Sequence, residues 1–199
     1  YVVAVTGMVN ARPEKMRKEG ILNGDIELEI TSIEILSKAA ELPFVLDNPD
    51  LHLETILDNR PYTLKSKRSQ GIFKVAATIV QEYRQSLMNQ DFLEFQAPAL
   101  VGSDAEGGAE VFKVEYFNGR IANLATSPQF YKEIMTGAFE RVFTIAKIFR
   151  AEKSATTRHL SEITQMDFEM SFIKDHTDVM NVLEEVIRDV VNADRKSTR

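Results

Sequence analysis

The chain has 199 residues, 44% hydrophobic and 27% charged, an ordinary globular composition with room for one large domain or two small ones. It holds no cysteine, which excludes a disulfide scaffold and a thiolate metal site. Its net charge is −6, from 24 basic and 30 acidic residues, so there is no whole-protein basic field for nucleic acid; local patches still leave room for a large folded RNA. No apolar run approaches membrane-spanning length and no signal-peptide layout opens the chain, so the expectation is a cytoplasmic protein with no membrane partner.

In chain order, Tyr1 to Val9 reads as a strand already under way. A basic insert follows from Arg12 to Gly20, broken at Pro13, and Asn23-Gly24-Asp25 is turn chemistry. Ile26-Glu27-Leu28-Glu29-Ile30 alternates strictly and Ile33-Glu34-Ile35 extends it, predicting an antiparallel hairpin with one wet face. Such a hairpin is too small to be stable alone and reads as the end of a small β-barrel. Residues 39–64 are linker-like, interrupted by Pro43, Pro49 and Pro61. From Gly71, the residues Ile72, Val75, Ala76, Ile79, Val80, Tyr83 and Leu87 mark one helical stripe. Asp91 to Leu100 follows as a strand, with Phe92 and Leu93 entering the core and Pro98 marking an edge, an interface or simply the strand's end.

Residues 103–110, with paired glycines, form a loop that serves as a lid or a wide turn. Strands Val111–Tyr116 and Arg120–Ala125 surround Asn118-Gly119, a strong hairpin signal. Ser127 fits a helix N-cap and Pro128 the first helical position. Gln129 and Lys132 then project from neighbouring points of one face, where Lys132 is placed to grip a carboxylate or simply sits solvated. The last element, Asp178 to Asp194, carries Val179, Leu183, Val186, Ile187 and Val190 on one stripe, with Asp175 or Thr177 as its cap.

The chemistry concentrates between Arg141 and Phe172. Two β-like runs flank a charged loop ending Thr157-Arg158-His159-Leu160. In the second run Met166, Phe168, Met170 and Phe172 alternate with Gln165, Asp167, Glu169 and Ser171, so period two puts an amide and two carboxylates in one row. In the first run Arg150 and Glu152 share a face. An antiparallel pair of this kind presents both signs of charge to one ligand. No two histidines stand at metal-ligand spacing, and there is no P-loop, nucleophile elbow or dinucleotide fingerprint. What is left is a non-Walker nucleotide site on an antiparallel sheet, with arginines for the phosphates and a glutamate for the base.

These residues resemble the class II aminoacyl-tRNA synthetases, and among them the aspartyl-tRNA synthetases of archaeal and eukaryotic-like type. Phe92-Leu93-Glu94-Phe95-Gln96-Ala97-Pro98 looks like the first class II motif, which builds the dimer interface around its proline. Phe149-Arg150-Ala151-Glu152 through Phe168-Glu169 looks like the second. Glu106-Gly107-Gly108-Ala109 is similar to the family's flipping loop, and Ser127-Pro128-Gln129-Phe130-Tyr131-Lys132 to its amino-acid-binding segment. The resemblance implies an α+β fold: an antiparallel catalytic sheet flanked by helices (65–199), preceded by the last strands of an OB-fold anticodon-binding barrel (1–38) and a hinge (39–64). It implies a homodimer acting on ATP, L-aspartate and tRNA. Arg150 would be the catalytic residue, binding the α-phosphate; Glu152 would meet the adenine amino group; Arg158, His159 and Leu160 would complete the ATP site. Lys132 would pair with the substrate's side-chain carboxylate and Asp167 with its ammonium group, aided by Glu106, Gln129 and Gln165. The related asparaginyl enzymes typically carry Ser-Gly-Gln and a glutamate where this chain has Pro128 and Lys132, and a cation suits an acidic substrate.

The resemblance also has gaps. The glycine-rich third motif, with its arginine against adenine, has no counterpart in Ile173–Arg199, and the carboxylates that hold Mg²⁺ are expected outside this chain, with no metal ligand within it. Asn59-Arg60-Pro61-Tyr62-Thr63-Leu64-Lys65 replaces the family's usual hinge run. The expectation is therefore an internal piece of a longer synthetase that cannot form adenylate by itself. Two other classes compete: a non-catalytic synthetase-like module for dimerisation or RNA binding, and an ATP-dependent amide synthetase on the same fold.

Overall fold

The computed structural model describes residues 1–46, 48–103, 110–154, 156 and 158–197. The chain divides into two units, Tyr1–Lys67 and Arg68–Arg199.

The first unit is built on the predicted hairpin. Strand β1 (Val2–Ala11) pairs antiparallel with β2 (Ile26–Ser37), from Val2 opposite Ser37 to Ala11 opposite Ile26. Register shifts interrupt the ladder beside Val2 and between Thr6 and Gly7. At the second shift a Cβ on Gly7 would lie 2.2 Å from the Glu29 carbonyl oxygen, so only glycine lets the strands close there. The expectation of one wet face is corrected: both faces are largely exposed, including Val3, Val5, Ile30 and Ile33. No third strand pairs with the hairpin among the described residues, so nothing covers its apolar row. The linker-like stretch contains two short helices, α1 (Leu53–Asp58) and α2 (Arg60–Thr63). Buried Thr63 donates its hydroxyl to the Ile56 carbonyl at 2.8 Å and ties them together.

The second unit begins one residue into helix α3 (Lys67–Met88), followed by β3 (Leu93–Glu94), β4 (Leu100–Val101), β5 (Lys113–Tyr116), β6 (Arg120–Leu124), helix α4 (Gln129–Phe139), β7 (Arg141–Phe149), β8 (Glu162–Met170) and helix α5 (His176–Ser197). Two three-stranded sheets result, ordered β3-β7-β8 and β4-β6-β5. The predicted strand from Asp91 to Leu100 splits into β3 and β4, one in each sheet, and β3 pairs parallel to β7 in an otherwise antiparallel arrangement. Asp91 has φ 63°, which turns the chain out of α3 and into β3. Phe92 is buried as expected, but Leu93 is exposed, because successive strand residues point to opposite faces. The β5–β6 hairpin turns through Asn118 and Gly119 with φ 58° and 70°, the left-handed pair that matches strand twist.

The core lies on one face of the β3-β7-β8 sheet. Tyr83 and Leu87 of α3, Phe92, Phe143 of β7, and Val182 and Val186 of α5 form it, flanked by Ile145, Phe168, Met170 and Val190. Tyr83 meets Phe143 and Phe92 meets Phe168 edge to face, with ring centroids 6.1 and 5.6 Å apart. Ser86 Oγ donates to Asp189 Oδ2 at 2.7 Å and pins α3 to α5. Two stripes need correction. On α3 the buried end is Tyr83–Leu87, while Ile72 is exposed. On α5 Val182 faces the core, and Leu183 and Ile187 are exposed. Asp175 is the α5 cap, its Oδ1 accepting the Thr177 backbone N–H at 2.8 Å.

Candidate functional site

The opposite face of the same sheet carries the charged row. Nine consecutive pairs join β7 to β8, with Val142 opposite Glu169, Thr144 opposite Asp167 and Ala146 opposite Gln165. Directly opposed residues share a face, so Gln165, Asp167 and Glu169 stand beside small or apolar β7 partners. The alternation holds through Met170 and then stops. Phe172 is 87% exposed with φ 57°, outside the strand and off the core face, because the chain turns there toward α5.

Helix α4 closes over this row. Ser127 does not cap it from the expected position: Pro128 is the N-cap, and the Ser127 Oγ accepts the Gln129 N–H at 3.1 Å. Lys132 is 6% exposed, against the usual fate of a lysine. Its Nζ lies 3.6 Å from Asp167 Oδ2 and 3.3 Å from Glu169 Oε2. Gln165 Nε2 donates to Asp167 Oδ2 at 2.6 Å, fixing that carboxylate from the side. A buried ammonium between two carboxylates is an ion cluster, costly to desolvate and steeply sensitive to the loss of one member. Glu169 is the member that sequence reasoning left out of its candidate set. It stands in the same period-two row, but its distance to Lys132 depends on how α4 docks.

Not every candidate joins the cluster. The Gln129 side chain turns along the helix and donates to Glu133 Oε1 at 2.7 Å, one helical turn on. Glu106 lies outside the described residues. Pro98 is exposed, in the segment between β3 and β4.

Arg150 and Glu152 lie just past β7, which ends at Phe149, so the expected strand is shorter than the charged pair requires. Backbone bonds hold them in place nonetheless: Phe149 N–H donates to Ala125 at 2.8 Å, Arg150 N–H to Ser161 at 3.1 Å and Ala151 N–H to Glu110 at 2.8 Å. The first of these puts the end of β7 beside the start of α4. Arg150 is half-buried; Glu152, Arg158, His159 and Leu160 are exposed. His159 Nε2 lies 3.7 Å from Glu152 Oε2, and its Nδ1 is 2.7 Å from Thr156 Oγ1. The strand-joining loop is thus cross-braced, with its acid and its imidazole side by side.

The charge of the cluster is felt on the core side of the sheet as well. Burial pushes the Tyr83 phenol well above its ordinary range, and the charge of Asp167 pushes it further.

Comparison with known proteins identifies the family. A family model described as class II tRNA synthetases (D, K and N) matches residues 52–199. An aspartate–tRNA(Asp/Asn) ligase of Deinococcus radiodurans is 36% identical over 200 residues, covering 99% of this chain and 44% of its own length. A similarly named ligase of Archaeoglobus fulgidus is 42% identical over 192 residues, covering 95% of this chain and 43% of its own length. The chain thus spans less than half the length of these curated relatives. Among solved structures, an asparaginyl-tRNA synthetase of Pyrococcus horikoshii complexed with asparaginyl-adenylate superposes with TM-score 0.85 at 30% identity, over 98% of this chain and 43% of that one. Because the family model matches residues 52–199, most of its length, the chain belongs to the class II tRNA synthetases of the D, K and N group.

Proposed function

We propose that this chain is part of an aspartate–tRNA ligase, which activates L-aspartate with ATP and transfers it to tRNA. The observation that carries the substrate is Lys132, a buried cation set against Asp167 and Glu169. An amino acid with an anionic side chain gives Lys132 a carboxylate and offers its own ammonium to Asp167, so both charges are paired on binding. Gln165 keeps Asp167 oriented, and Gln129 exchanges Glu133 for the ligand. Glu106 and Pro98 keep their expected parts, in closing over the amino acid and in a homodimer interface.

The α-carboxylate oxygen then attacks the α-phosphorus of ATP. A phosphorus–oxygen bond forms, the bond to the bridging oxygen breaks, and pyrophosphate leaves. Arg150 stabilises the charge that builds on the α-phosphate, Glu152 takes the adenine amino group, and Arg158, His159 and Leu160 line the outer phosphates. For Glu152 and His159 to do this, ATP must separate the pair that now stands 3.7 Å apart. In the second step a hydroxyl at the tRNA 3′ end attacks the activated carbonyl and AMP leaves. Positioning and electrostatics carry both steps. Among the described residues no group of three carboxylate or histidine side chains forms a cation site; the carboxylates that would hold Mg²⁺ are proposed to lie outside this chain. Residues 1–38 are proposed as part of the anticodon-binding barrel, 39–64 as the hinge and 65–199 as part of the catalytic domain.

An asparaginyl enzyme is the second reading, favoured by the resemblance to the Pyrococcus structure. ATP–pyrophosphate exchange on the full-length protein separates the two. Exchange with aspartate and not asparagine is expected; exchange with asparagine alone overturns the substrate assignment.

A further inference from the structure

Thr144 makes no side-chain hydrogen bond within the charged site. It has no exposed surface, and its Oγ1 is buried without a hydrogen-bond partner. Such groups are few in folded proteins because an unmade buried hydrogen bond is costly. The register sets Thr144 directly opposite Asp167, which places the two Cβ atoms about 5 Å apart on one face. In the present arrangement Asp167 is served by Gln165 at 2.6 Å and faces Lys132 at 3.6 Å, and the hydroxyl beside it is idle.

On the functional reading above, on which this inference rests, substrate draws Lys132 toward its own side-chain carboxylate. Asp167 then exchanges the lysine for the substrate's ammonium group, and its carboxylate needs a second donor to hold it in place for that contact. The spare donor nearest in register is the Thr144 hydroxyl. We propose that Thr144 is a positioning residue for Asp167, donating to that carboxylate when substrate engages Lys132. A change between staggered χ1 wells is the only motion required of it. The other charged groups facing Asp167 are Lys132 from α4 and Glu169 from β8; β7 contributes none to this face, and Tyr83 of α3 is neutral until strongly alkaline pH.

The test uses the full-length protein with Thr144→Val and Thr144→Ser, followed by ATP–pyrophosphate exchange with L-aspartate and by thermal melts. Thr144→Val is expected to raise KM for aspartate about tenfold with KM for ATP unchanged. The loss should fall on KM for aspartate rather than on kcat, because the hydroxyl acts on the group that holds the amino acid. Its melting temperature should hold or rise, since the idle hydroxyl is gone. Thr144→Ser should keep the wild-type KM. A Val variant with wild-type KM for aspartate overturns the inference, and so does a Ser variant as impaired as Val, which would assign the effect to methyl packing. A fall in melting temperature for Val also counts against it. A wild-type protein with no aspartate-dependent exchange sinks the aspartate reading, and this inference with it.

Discussion

Lys132 concentrates the energetics of the site. It is 6% exposed, and its two carboxylate partners are 18% and 33% exposed. Replacing it with Met leaves Asp167 and Glu169 facing each other without a cation. Discounting for the partial exposure of the carboxylates, the expected loss is about 2 kcal/mol, read from urea unfolding, together with loss of aspartate-dependent exchange. Glu169→Gln should cost less stability, because Asp167 still serves the lysine. Tyr83 makes a separate prediction at high pH. Its folded pKa is raised, so the phenol stays neutral after its unfolded counterpart begins to ionise near pH 10. The stability it contributes is complete below about pH 10 and is lost as pH rises toward the folded value. Tyr83→Phe should flatten the alkaline fall in melting temperature; an unchanged slope would refute the assignment.

At the scale of elements, the β7–β8 pair separates two environments. Phe143 and Ile145 of β7 with Phe168 and Met170 of β8 pack into the core of α3 and α5, while Asp167 and Glu169 on the other face meet Lys132 of α4. Phe143 is fully buried at the centre of the first environment. Phe143→Ala should therefore cost about 4 kcal/mol and loosen the charged row on the other face, which a combined stability and exchange assay would show. Asp175 governs the start of α5. Hydrogen bonds from the Thr177 hydroxyl and backbone hold its carboxyl below the ordinary carboxylate range. A depressed pKa gives stability that is present above the unfolded value of about 3.9 and is lost as pH falls through the folded value. Hydrogen exchange should show the first turn of α5 opening in that acid window, and Asp175→Ala should open it at neutral pH.

For the molecule as a whole, the two units carry different parts of the proposed enzyme, and the chain covers under half of its relatives' length. Met180, Leu183, Ile187 and Val191 make an exposed stripe along α5, adjacent to its core-facing valines. A contiguous apolar face of this kind promotes association. The 199-residue chain is expected to elute above its monomer mass at micromolar concentration, and Leu183→Glu with Ile187→Lys should restore monomer without loss of helicity. Elution as a monomer before substitution would rule this out.

Local periodicity made much of the fold legible. Alternation in β2 and β8, the Asn118-Gly119 turn, and the Ser127-Pro128 helix start all depend on short-range backbone preferences, and they are where the residues indicated, to within three residues. The family was legible for the same reason, since its motifs are short and contiguous. Which of two adjacent apolar stripes faces inward was not legible. Val182 and Leu183 differ by one position on α5, and only the docking of that helix on Phe143 separates them. The site followed the same division. Its row of Gln165, Asp167 and Glu169 was present in the period of β8. The burial of Lys132, its contact with Glu169, and the idle Thr144 beside Asp167 were not, because each joins residues of separate elements. Such contacts are set by how a helix packs on a sheet, a long-range outcome that no window of neighbouring residues contains.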